Sequence, residues 1–505
     1  MFKKIKEFFR VLGELKYIIP LLRYKFPDPD DNESLAHSFE KTVKQFGDNN
    51  FIFFEDENWS YSETNNAANS LANKLIDDGV SHSDRVVLFM ENRPDFIITI
   101  LALNKIGAIG VLINTSLTGK PLIHCINSSD SKKCIVGAEL ASSLEDVLDE
   151  INLKNKSDIY WVEDGDRFIC PEWALNLKPS LDDSKNENLE ITNMVTAKDT
   201  AFYIFTSGTT GVPKAALFPN SKIIAASMNI SKGGYRISDS DCMYNCLPLY
   251  HSTGLMLGLC ACIQVGAATF IRRKFSASAF WKEAKQFNTT AFVYVGELCR
   301  YLSFQDSSEE EKDNPISSMV GNGLRPDLWD CFRNRFNVER IIEIYGASEG
   351  NALFMNLLNK DETIGMTNAR VALLEYDVAE DKLVKDTENK FIEVDEDEPG
   401  LLLVEIGPDA IYNGYTDKKA SEEKVISNVF ENGDRWFNTG DLVKTMDVGF
   451  SLGRTHYQFV DRVGDTFRWK SENVSTNEVA EILNAFDQVN MANVFGVKVP
   501  QSEGR

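Results

Sequence analysis

The feature that most constrains this chain is a short apolar run that ends in a string of hydroxylated residues and glycines. Tyr203-Ile204-Phe205 is followed by Thr206-Ser207-Gly208-Thr209-Thr210-Gly211 and then by Val212-Pro213-Lys214. The two glycines permit backbone torsions that other residues resist, so consecutive amides can turn toward an anion while the hydroxyl groups add donors. Lys214 adds a mobile positive charge. The segment predicts a phosphate-binding loop, with a plain Ser/Thr/Gly turn as the alternative, and its spacing differs from that of the common P-loop.

The length and charge of the chain limit its class. At 505 residues it exceeds the size at which a single hydrophobic core stops growing, so we expect two or more domains. Its net charge of −23 argues against a general nucleic-acid-binding protein, because phosphate backbones attract the opposite sign. Nine cysteines, an odd count in mostly apolar surroundings, indicate small core residues in a reducing, cytoplasmic compartment.

Residues 1–25 differ from the rest of this acidic chain. They carry seven basic and two acidic side chains, and apolar residues recur at helical spacing, namely Ile5, Phe8, Phe9, Leu12, Leu15, Ile18 and Ile19. Two interpretations stay open: the helix lies on an anionic membrane surface as a peripheral attachment on the cytoplasmic side, or it packs on its own globule. A secretory signal is disfavoured, because charges interrupt the apolar positions and no small-residue cleavage site follows.

Strand-like apolar runs are separated by helical patterns along most of the chain. Examples are Arg85–Met90, Ala201–Phe205, Ala291–Val295 and Arg340–Ile344. This order predicts an α/β fold with mainly parallel sheets. We divide the chain into a basic amphipathic helix with a linker at 1–30, a large N-terminal domain at 31–462, and a partial C-terminal α+β domain at 463–505. Short strand candidates broken by Gly, Asp and Asn predict a small β subdomain at about 364–460.

Further strings place polar residues directly after apolar segments. Tyr345-Gly346-Ala347-Ser348-Glu349 follows a predicted strand, at the sheet edge where α/β proteins bind nucleotides. Glu349 is then placed to bind Mg²⁺, which prefers oxygen ligands, and Tyr345 to cover an adenine face. Thr439-Gly440-Asp441 and Asp461-Arg462 add a carboxylate and a planar guanidinium donor. His251 lies in a polar turn before a buried helix, where a histidine taken alone is more often structural than catalytic.

Taken together, these strings resemble the signatures of adenylate-forming enzymes, the superfamily of acyl-CoA synthetases, luciferases and peptide-synthetase adenylation domains. Other strings narrow the resemblance to the fatty-acid transport protein and very-long-chain acyl-CoA synthetase family. They are Lys274–Ser278, Tyr294–Leu302, Gly321–Arg325 and Gly464–Thr476. The resemblance covers roughly residues 30–505. Ser471 departs from the family pattern, which has glycine there.

The resemblance implies a ligase that activates long- or very-long-chain fatty acids to acyl-CoA through acyl-AMP, with ATP, Mg²⁺ and coenzyme A, and with fatty-acid uptake as an associated role. The residues implied for phosphate binding are Thr206, Ser207, Gly208, Thr209, Thr210, Gly211 and Lys214. Those implied for the rest of the nucleotide and the metal are Gly321, Tyr345, Gly346, Ser348, Asp441, Arg462 and Glu349. Those implied for the acyl substrate are His251, Tyr294, Gly296 and Gly323, with an apolar tunnel near Tyr294–Leu302. Lys214, His251 and Glu349 are the catalytic candidates.

The resemblance also implies a hinge at Gly464 and Asp465 before a mobile C-terminal domain. That domain is considerably longer in the family than residues 463–505, and its distal part carries a lysine that reaches the reacting acid. We therefore expect the 505-residue chain to bind ATP and fatty acid but to make acyl-CoA slowly. Two other functions stay open, a fatty-acid uptake or carrier protein with little turnover and an acyl-AMP ligase that serves an acyl carrier protein. Preferred chain length and oligomeric state are not readable from the sequence.

Overall fold

The structure is a computed structural model, and it describes residues 2–25, 27–165, 168–181, 185–207, 213–347, 350–378, 380–408, 410–463, 467–469, 472–474, 476–484, 489 and 492–495. Its α-helices are α1 (Phe2–Arg23), α2 (Leu35–Phe46), α3 (Tyr61–Asp77), α4 (Pro94–Lys105), α5 (Gly119–Ser128), α6 (Ala141–Glu145), α7 (Asn220–Asn229), α8 (Ala261–Ile263), α9 (Phe280–Gln286), α10 (Gly296–Ser303), α11 (Glu309–Lys312), α12 (Pro326–Asp330), α13 (Lys418–Glu423) and α14 (Thr476–Asn484). Segments at Ile230–Tyr235, Thr253–Cys260 and Cys331–Arg335 are π-helical.

The strands are β1 (Asn50–Phe54), β2 (Glu57–Ser60), β3 (Arg85–Phe89), β4 (Ile109–Leu112), β5 (Lys133–Gly137), β6 (Ile159–Val162), β7 (Leu175–Asn176), β8 (Thr200–Ser207), β9 (Pro213–Pro219), β10 (Cys242–Asn245), β11 (Ala268–Ile271), β12 (Ala291–Val295), β13 (Ser318–Asn322), β14 (Arg340–Tyr345), β15 (Phe354–Met355), β16 (Val371–Leu374), β17 (Tyr376–Asp377), β18 (Lys382–Leu383), β19 (Gly400–Glu405), β20 (Val425–Ser427), β21 (Arg435–Met446), β22 (His456–Arg462), β23 (Phe467–Trp469) and β24 (Glu472–Val474).

Two large sheets with mainly parallel strands form the body of the molecule. The seven-stranded sheet has the order β7-β6-β5-β3-β4-β8-β9, and only its edge strand β9 runs antiparallel to its neighbour. The eight-stranded sheet has the order β15-β14-β13-β12-β10-β11-β1-β2, with antiparallel strands at its two edges. A five-stranded antiparallel sheet joins β16, β19, β21, β20 and β22. The predicted α/β class with mainly parallel sheets and a small β subdomain is confirmed.

The main hydrophobic core lies between the two large sheets. Leu35 of α2, Leu71 of α3 and Ile100 of α4 pack there with Leu88 of β3 and Met243 of β10. Alternate residues of the same strands point to the outer face of each sheet. One apolar cluster covers the outer face of the eight-stranded sheet, and another covers that of the seven-stranded sheet. This layering brings the carboxyl ends of β8, β13 and β14 toward the antiparallel sheet. The division into domains at residues 30 and 462 stays a prediction.

Helix α1 packs one side on the globule. Val11 and Leu21 are buried, and the Glu14 carboxylate is paired with Arg340 at 3.0 Å and also with Arg236. The other apolar edge of the helix stays exposed, at Ile5, Phe8, Phe9, Leu12, Ile19 and Leu22. The inner side of the helix therefore packs on the globule. Contact of its outer side with a membrane stays a prediction. No helix among the described residues combines the length and apolarity that crossing a membrane requires.

All nine cysteines are free thiols, and seven of them are buried. Burial raises the pKa of the Cys246 thiol to about 12, so this group is a neutral, small apolar residue near neutral pH. The expectation that the cysteines are mostly small core residues is confirmed.

Candidate functional site

One large cavity opens where the body of the molecule faces the antiparallel sheet. Its volume is about 1450 Å³. One side is formed by the carboxyl ends of β8, β13 and β14, a second by α7, and a third by β21 and β22. Because the carboxyl ends of parallel strands are where open α/β sheets bind ligands, this cavity is the candidate active site.

The cavity brings together several residues that the sequence predicted. Those that line it are Thr206, His251, Gly323, Tyr345, Gly346, Asp441 and Arg462. Lys214, Gly321, Tyr294 and Gly296 lie next to the cavity without forming its wall. Outside the described residues lie Gly208, Thr209, Thr210, Gly211, Ser348, Glu349, Gly464 and Asp465, together with the side chain of Ser207. The roles assigned to all of these residues stay predictions.

Tyr345, Asp441 and Arg462, three members of the predicted nucleotide set, contact one another in the cavity wall. The Tyr345 hydroxyl donates to Asp441 Oδ2 at 2.6 Å, and Arg462 Nε lies 3.6 Å from Asp441 Oδ1. The antiparallel pairing of β21 with β22 places Asp441 opposite Arg462 in register. Burial and the nearby Asp441 carboxylate raise the pKa of the Tyr345 phenol well above its ordinary value, so the phenol stays a proton donor. Asp441 is held as an acceptor with a cation beside it.

His251 lies at the cavity wall, at the turn before the π-helical segment Thr253–Cys260. Its ring is exposed to the cavity, and partial enclosure by the surrounding protein lowers the pKa of the imidazole. The Thr253 amide donates to Nδ1 at 3.4 Å. The neutral imidazole therefore has its other nitrogen available to donate to a ligand in the cavity.

Basic side chains approach the cavity from several elements. Lys222 of α7, Lys424 next to α13 and Lys444 of β21 line it. Lys214 is paired across the sheet with Thr206, and its ammonium lies 5.8 Å from the ring centre of the cavity residue Tyr415. In a chain of net charge −23, this concentration of cations favours an anionic ligand. The first three lysines were not singled out from the sequence, because isolated lysines carry no motif.

An apolar wall lies on the side of the cavity next to α7. Ala225 and Ala226 of α7 and Met256 and Leu257 of the π-helical segment contribute to it. The sequence predicted an acyl tunnel near Tyr294–Leu302 instead. The Tyr294 side chain is buried, and residues 294–302 are not among those that line this cavity, since several of them pack under the eight-stranded sheet. The location of the acyl tunnel stays a prediction.

Glu343 is a functional candidate that sequence reasoning missed. It lies on β14, is 4% exposed, and reaches the cavity wall. Its carboxylate accepts hydrogen bonds from the Tyr294 hydroxyl at 2.5 Å and from the amides of Gly323 and Leu324 at 3.0 and 2.9 Å. Burial raises the pKa of this carboxyl to about 7. The available signal was an acidic residue inside the apolar run Arg340–Tyr345.

The metal assignment rests on residues next to the cavity. Gly346, Ala347 and Gly350 line the cavity, whereas the predicted ligand Glu349 lies outside the described residues. Within the part of the chain that the structure describes, no three His, Cys, Asp or Glu side chains converge as a metal site.

Comparison with known proteins adds to this geometry. The family model for AMP-binding enzymes matches residues 39–415. The medium/long-chain-fatty-acid–CoA ligase FadD6 of Mycobacterium tuberculosis is 37% identical over 477 residues, which are 94% of this chain and 77% of that protein. The long-chain fatty acid transport protein 6 of Mus musculus is 35% identical over 99% of this chain and 80% of its own length.

Solved structures share the fold at low sequence identity. The anthranilate CoA ligase AuaEII in complex with anthranoyl-AMP superposes with a TM-score of 0.76 at 18% identity, over 95% of this chain and 86% of that one. ATP-bound MatB from Rhodopseudomonas palustris superposes with a TM-score of 0.75 at 19% identity, over 93% of this chain and 87% of the other. At these identities the likeness concerns the fold alone.

Proposed function

The chain belongs to the family of AMP-binding enzymes, and we propose that it is an ATP-dependent ligase that joins a long-chain fatty acid to coenzyme A. The observation that carries the proposal is the single cavity in which His251, the Tyr345–Asp441–Arg462 group, basic side chains and an apolar wall come together. This set provides the surfaces that a carboxylate, a nucleotide and an alkyl chain each require.

The proposed reaction has two steps. First, a carboxylate oxygen of the fatty acid attacks the α-phosphorus of ATP, forming acyl-AMP and releasing pyrophosphate. Then the sulfur of coenzyme A attacks the acyl carbon, AMP leaves, and the thiol proton is released. Because the protein does little covalent chemistry, its contribution is to orient the reactants and to stabilise phosphate charge.

The residues around the cavity take separate roles in this proposal. Asp441 accepts from the ribose hydroxyls, while Arg462 contributes a planar donor near the sugar and phosphate. The loop from Thr206 to Lys214 holds the outer phosphates, as its sequence predicts. His251, kept neutral by its surroundings, donates to the acyl carboxylate.

Mg²⁺ would be held by Glu349 together with phosphate oxygens, and it would supply charge neutralisation for the triphosphate. Replacing Glu349 with glutamine should reduce acyl-AMP formation far more than fatty-acid binding, because a neutral amide is a poor Mg²⁺ ligand and the apolar wall is unchanged. Equal losses of fatty-acid binding and acyl-AMP formation would contradict the metal assignment.

The proposal is tested by acid-dependent exchange of pyrophosphate into ATP. Octanoic, palmitic and tetracosanoic acids span the relevant lengths, and benzoic acid serves as an aromatic control. We expect exchange with at least one of the fatty acids and little with benzoate, because alkyl chains fit the wall that includes Ala225 and Met256. Exchange with benzoate alone, or with no acid although ATP binds, would overturn the proposal.

The acceptor of the acyl group distinguishes the ligase from its alternatives. Protein loaded with acyl-AMP should release acyl-CoA when coenzyme A is added and should not acylate a phosphopantetheine-bearing carrier protein at a comparable rate. Preference for the carrier protein would favour the acyl-AMP ligase. Tight fatty-acid binding with no release of acyl-CoA would favour the uptake or carrier function.

A peripheral membrane surface is the second part of the proposal, and the charges of α1 support it. Both acidic residues of the helix turn inward, since Glu7 pairs with Lys360 at 2.5 Å and Glu14 pairs with Arg340 at 3.0 Å. Lys16 and Arg23 are exposed, so the described solvent-facing side is basic as well as apolar. A helix with these properties binds at an anionic lipid surface.

The connection between β21 and β22 extends this surface. Phe450 and Leu452 are exposed there, and the Phe450 ring centre lies 5.6 Å from that of Phe8. Phe450→Asp should weaken sedimentation with vesicles of phosphatidylcholine and phosphatidylserine, whereas Ile169→Asp, at another strongly exposed site, should not. Equal binding by both variants, or binding that does not depend on phosphatidylserine, would contradict this surface.

A further inference from the structure

The carboxylate of Glu343 is the point at which donors from separate segments converge. Oε1 accepts from the Tyr294 hydroxyl at 2.5 Å and from the Leu324 amide at 2.9 Å, while Oε2 accepts from the Gly323 amide at 3.0 Å. Tyr294 comes from β12, the two amides follow β13, and Glu343 belongs to β14. A single buried side chain therefore connects three neighbouring parallel strands at their carboxyl ends.

The loop whose Gly323 and Leu324 amides donate to Glu343 forms part of the cavity wall. This loop, residues 322–325, begins at the last residue of β13 and lines the cavity. Close backbone packing fixes its distance from β12: a Cβ on Gly321 would lie 2.1 Å from the Tyr294 carbonyl oxygen, and one on Gly296 would lie 1.7 Å from the Gly323 carbonyl oxygen. Gly323 itself has a φ of +79°, which favours glycine. The glycines let the segments approach, and the two amide bonds to Glu343 set the orientation of the loop.

The charge on Glu343 has no cationic partner among the described residues, since none of their ion pairs includes it. The titratable side chains that face it are Tyr294 from β12 and Cys299 from α10, with Tyr235 behind Tyr294. Burial raises the pKa of all three well above ordinary values, so they stay neutral near pH 7. Arg325 at the end of the loop pairs instead with Asp327 at 2.8 Å.

We propose that Glu343 is a positioning residue for acyl-AMP formation: it holds loop 322–325 in the orientation that shapes the cavity, by accepting from Tyr294, Gly323 and Leu324. This inference rests on the proposed ligase function. Glu343 is placed to act through the loop, because each of its two oxygens accepts a hydrogen bond from a backbone amide of that loop. Only the ionised carboxylate accepts from all of them without supplying a competing proton.

Protonation should therefore loosen the loop. Burial raises the pKa of Glu343 to about 7, and the hydrogen bond from Tyr294 opposes that rise by stabilising the charged form. Activity should fall as pH decreases through about 7. His251 titrates at lower pH, because burial lowers the pKa of its imidazole.

The test compares three variants in acid-dependent pyrophosphate exchange between pH 5.5 and 9. In Glu343→Gln, one amide N–H of the loop faces an NH₂ group in either orientation of the side chain, so we expect the KM for ATP to rise about tenfold or more and the fall in rate near pH 7 to disappear. In Tyr294→Phe, the carboxylate loses a donor, so the fall should move to higher pH. Tyr376→Phe is the matched control, because it removes an equivalent 2.5 Å bond to the Asp381 carboxylate outside the cavity, and it should leave the profile unchanged.

If Glu343 only stabilised the fold, its replacement would lower the rate of pyrophosphate exchange without moving the pH profile of that rate. The proposal is overturned if Glu343→Gln keeps the parental KM and pH profile, or if the profile of Tyr294→Phe stays in place or moves to lower pH. Binding of a fluorescent ATP analogue is measured across the same pH range with each variant. If the parent binds the analogue but shows no exchange with any fatty acid, the ligase function fails, and the same shifts in analogue affinity still decide the role of Glu343.

Discussion

Adding one methyl group at Gly296 provides a stringent test of how closely the cavity loop must pack. Gly296 is the first residue of α10, and a Cβ there would lie 1.7 Å from the Gly323 carbonyl oxygen and 2.5 Å from its carbonyl carbon. Both are backbone atoms and cannot rotate away. Since a real Cβ stays more than about 3 Å from such atoms, the two segments must separate by more than about 1 Å.

A displacement of this size exceeds what the hydrogen bonds to Glu343 tolerate. The bonds from Gly323 and Leu324 measure 3.0 and 2.9 Å, and a hydrogen bond is effectively lost beyond about 3.5 Å. We expect Gly296→Ala to lower pyrophosphate exchange by about 100-fold, since a misplacement of about 1 Å costs that much in catalysis. Overpacking should also cost about 1–3 kcal/mol of stability.

Gly13→Ala is the control for adding a methyl group to a helix. A Cβ at Gly13 in α1 meets no atom within 4 Å, so this substitution should leave exchange unchanged and raise the unfolding free energy by up to about 1 kcal/mol. The reasoning is refuted if Gly296→Ala exchanges pyrophosphate within about threefold of the parent while remaining folded by circular dichroism. A loss of exchange in Gly13→Ala would show that the assay reports helix changes unrelated to the loop.

Asp441→Asn should weaken ATP binding by about tenfold in titration calorimetry, because the amide keeps one acceptor but removes the charge beside Arg462; unchanged affinity would contradict the ribose assignment. Glu14→Gln leaves Arg340 buried without its countercharge, which should cost about 3–5 kcal/mol and lower the denaturation midpoint; a neutral result would mean that α1 docks mainly through apolar contacts. Because the folded protein binds the Glu343 proton more tightly than the unfolded chain does, the free energy of unfolding should fall by up to about 3 kcal/mol as pH rises from 4.5 through about 7. Glu343→Gln should remove that part of the pH dependence, and a parallel dependence in both proteins would contradict it.

The fold class could be predicted from the sequence and is confirmed, and the sequence also predicted a set of nucleotide-binding residues. Strand and helix periods, the glycine-rich string ending at Lys214, and the strings at Tyr345 and Asp441 are local patterns, because each depends on residues a few positions apart. The structure brings Tyr345 and Asp441 into direct contact although 96 positions separate them. The order of the strings along the chain indicated that they act together. It did not indicate which atoms of these residues contact one another.

Which surfaces of the elements face inward depends on contacts between residues that are distant in the sequence. Helix α1 has apolar residues on two edges, and it is the distant Arg340 and Lys360 that select the edge carrying Glu14 and Glu7 for packing. The apolar wall of the cavity likewise lies beside α7, whereas the Tyr294 side chain is buried.

Glu343 shows the physical reason for this division. A carboxylate inside an apolar strand is unfavourable in the sequence taken locally, since a buried charge is costly without partners. Its donors come from Tyr294, 49 positions away, and from the backbone of Gly323 and Leu324. Backbone amides have no sequence signature, so their convergence on one side chain is set only when the parallel strands pack side by side.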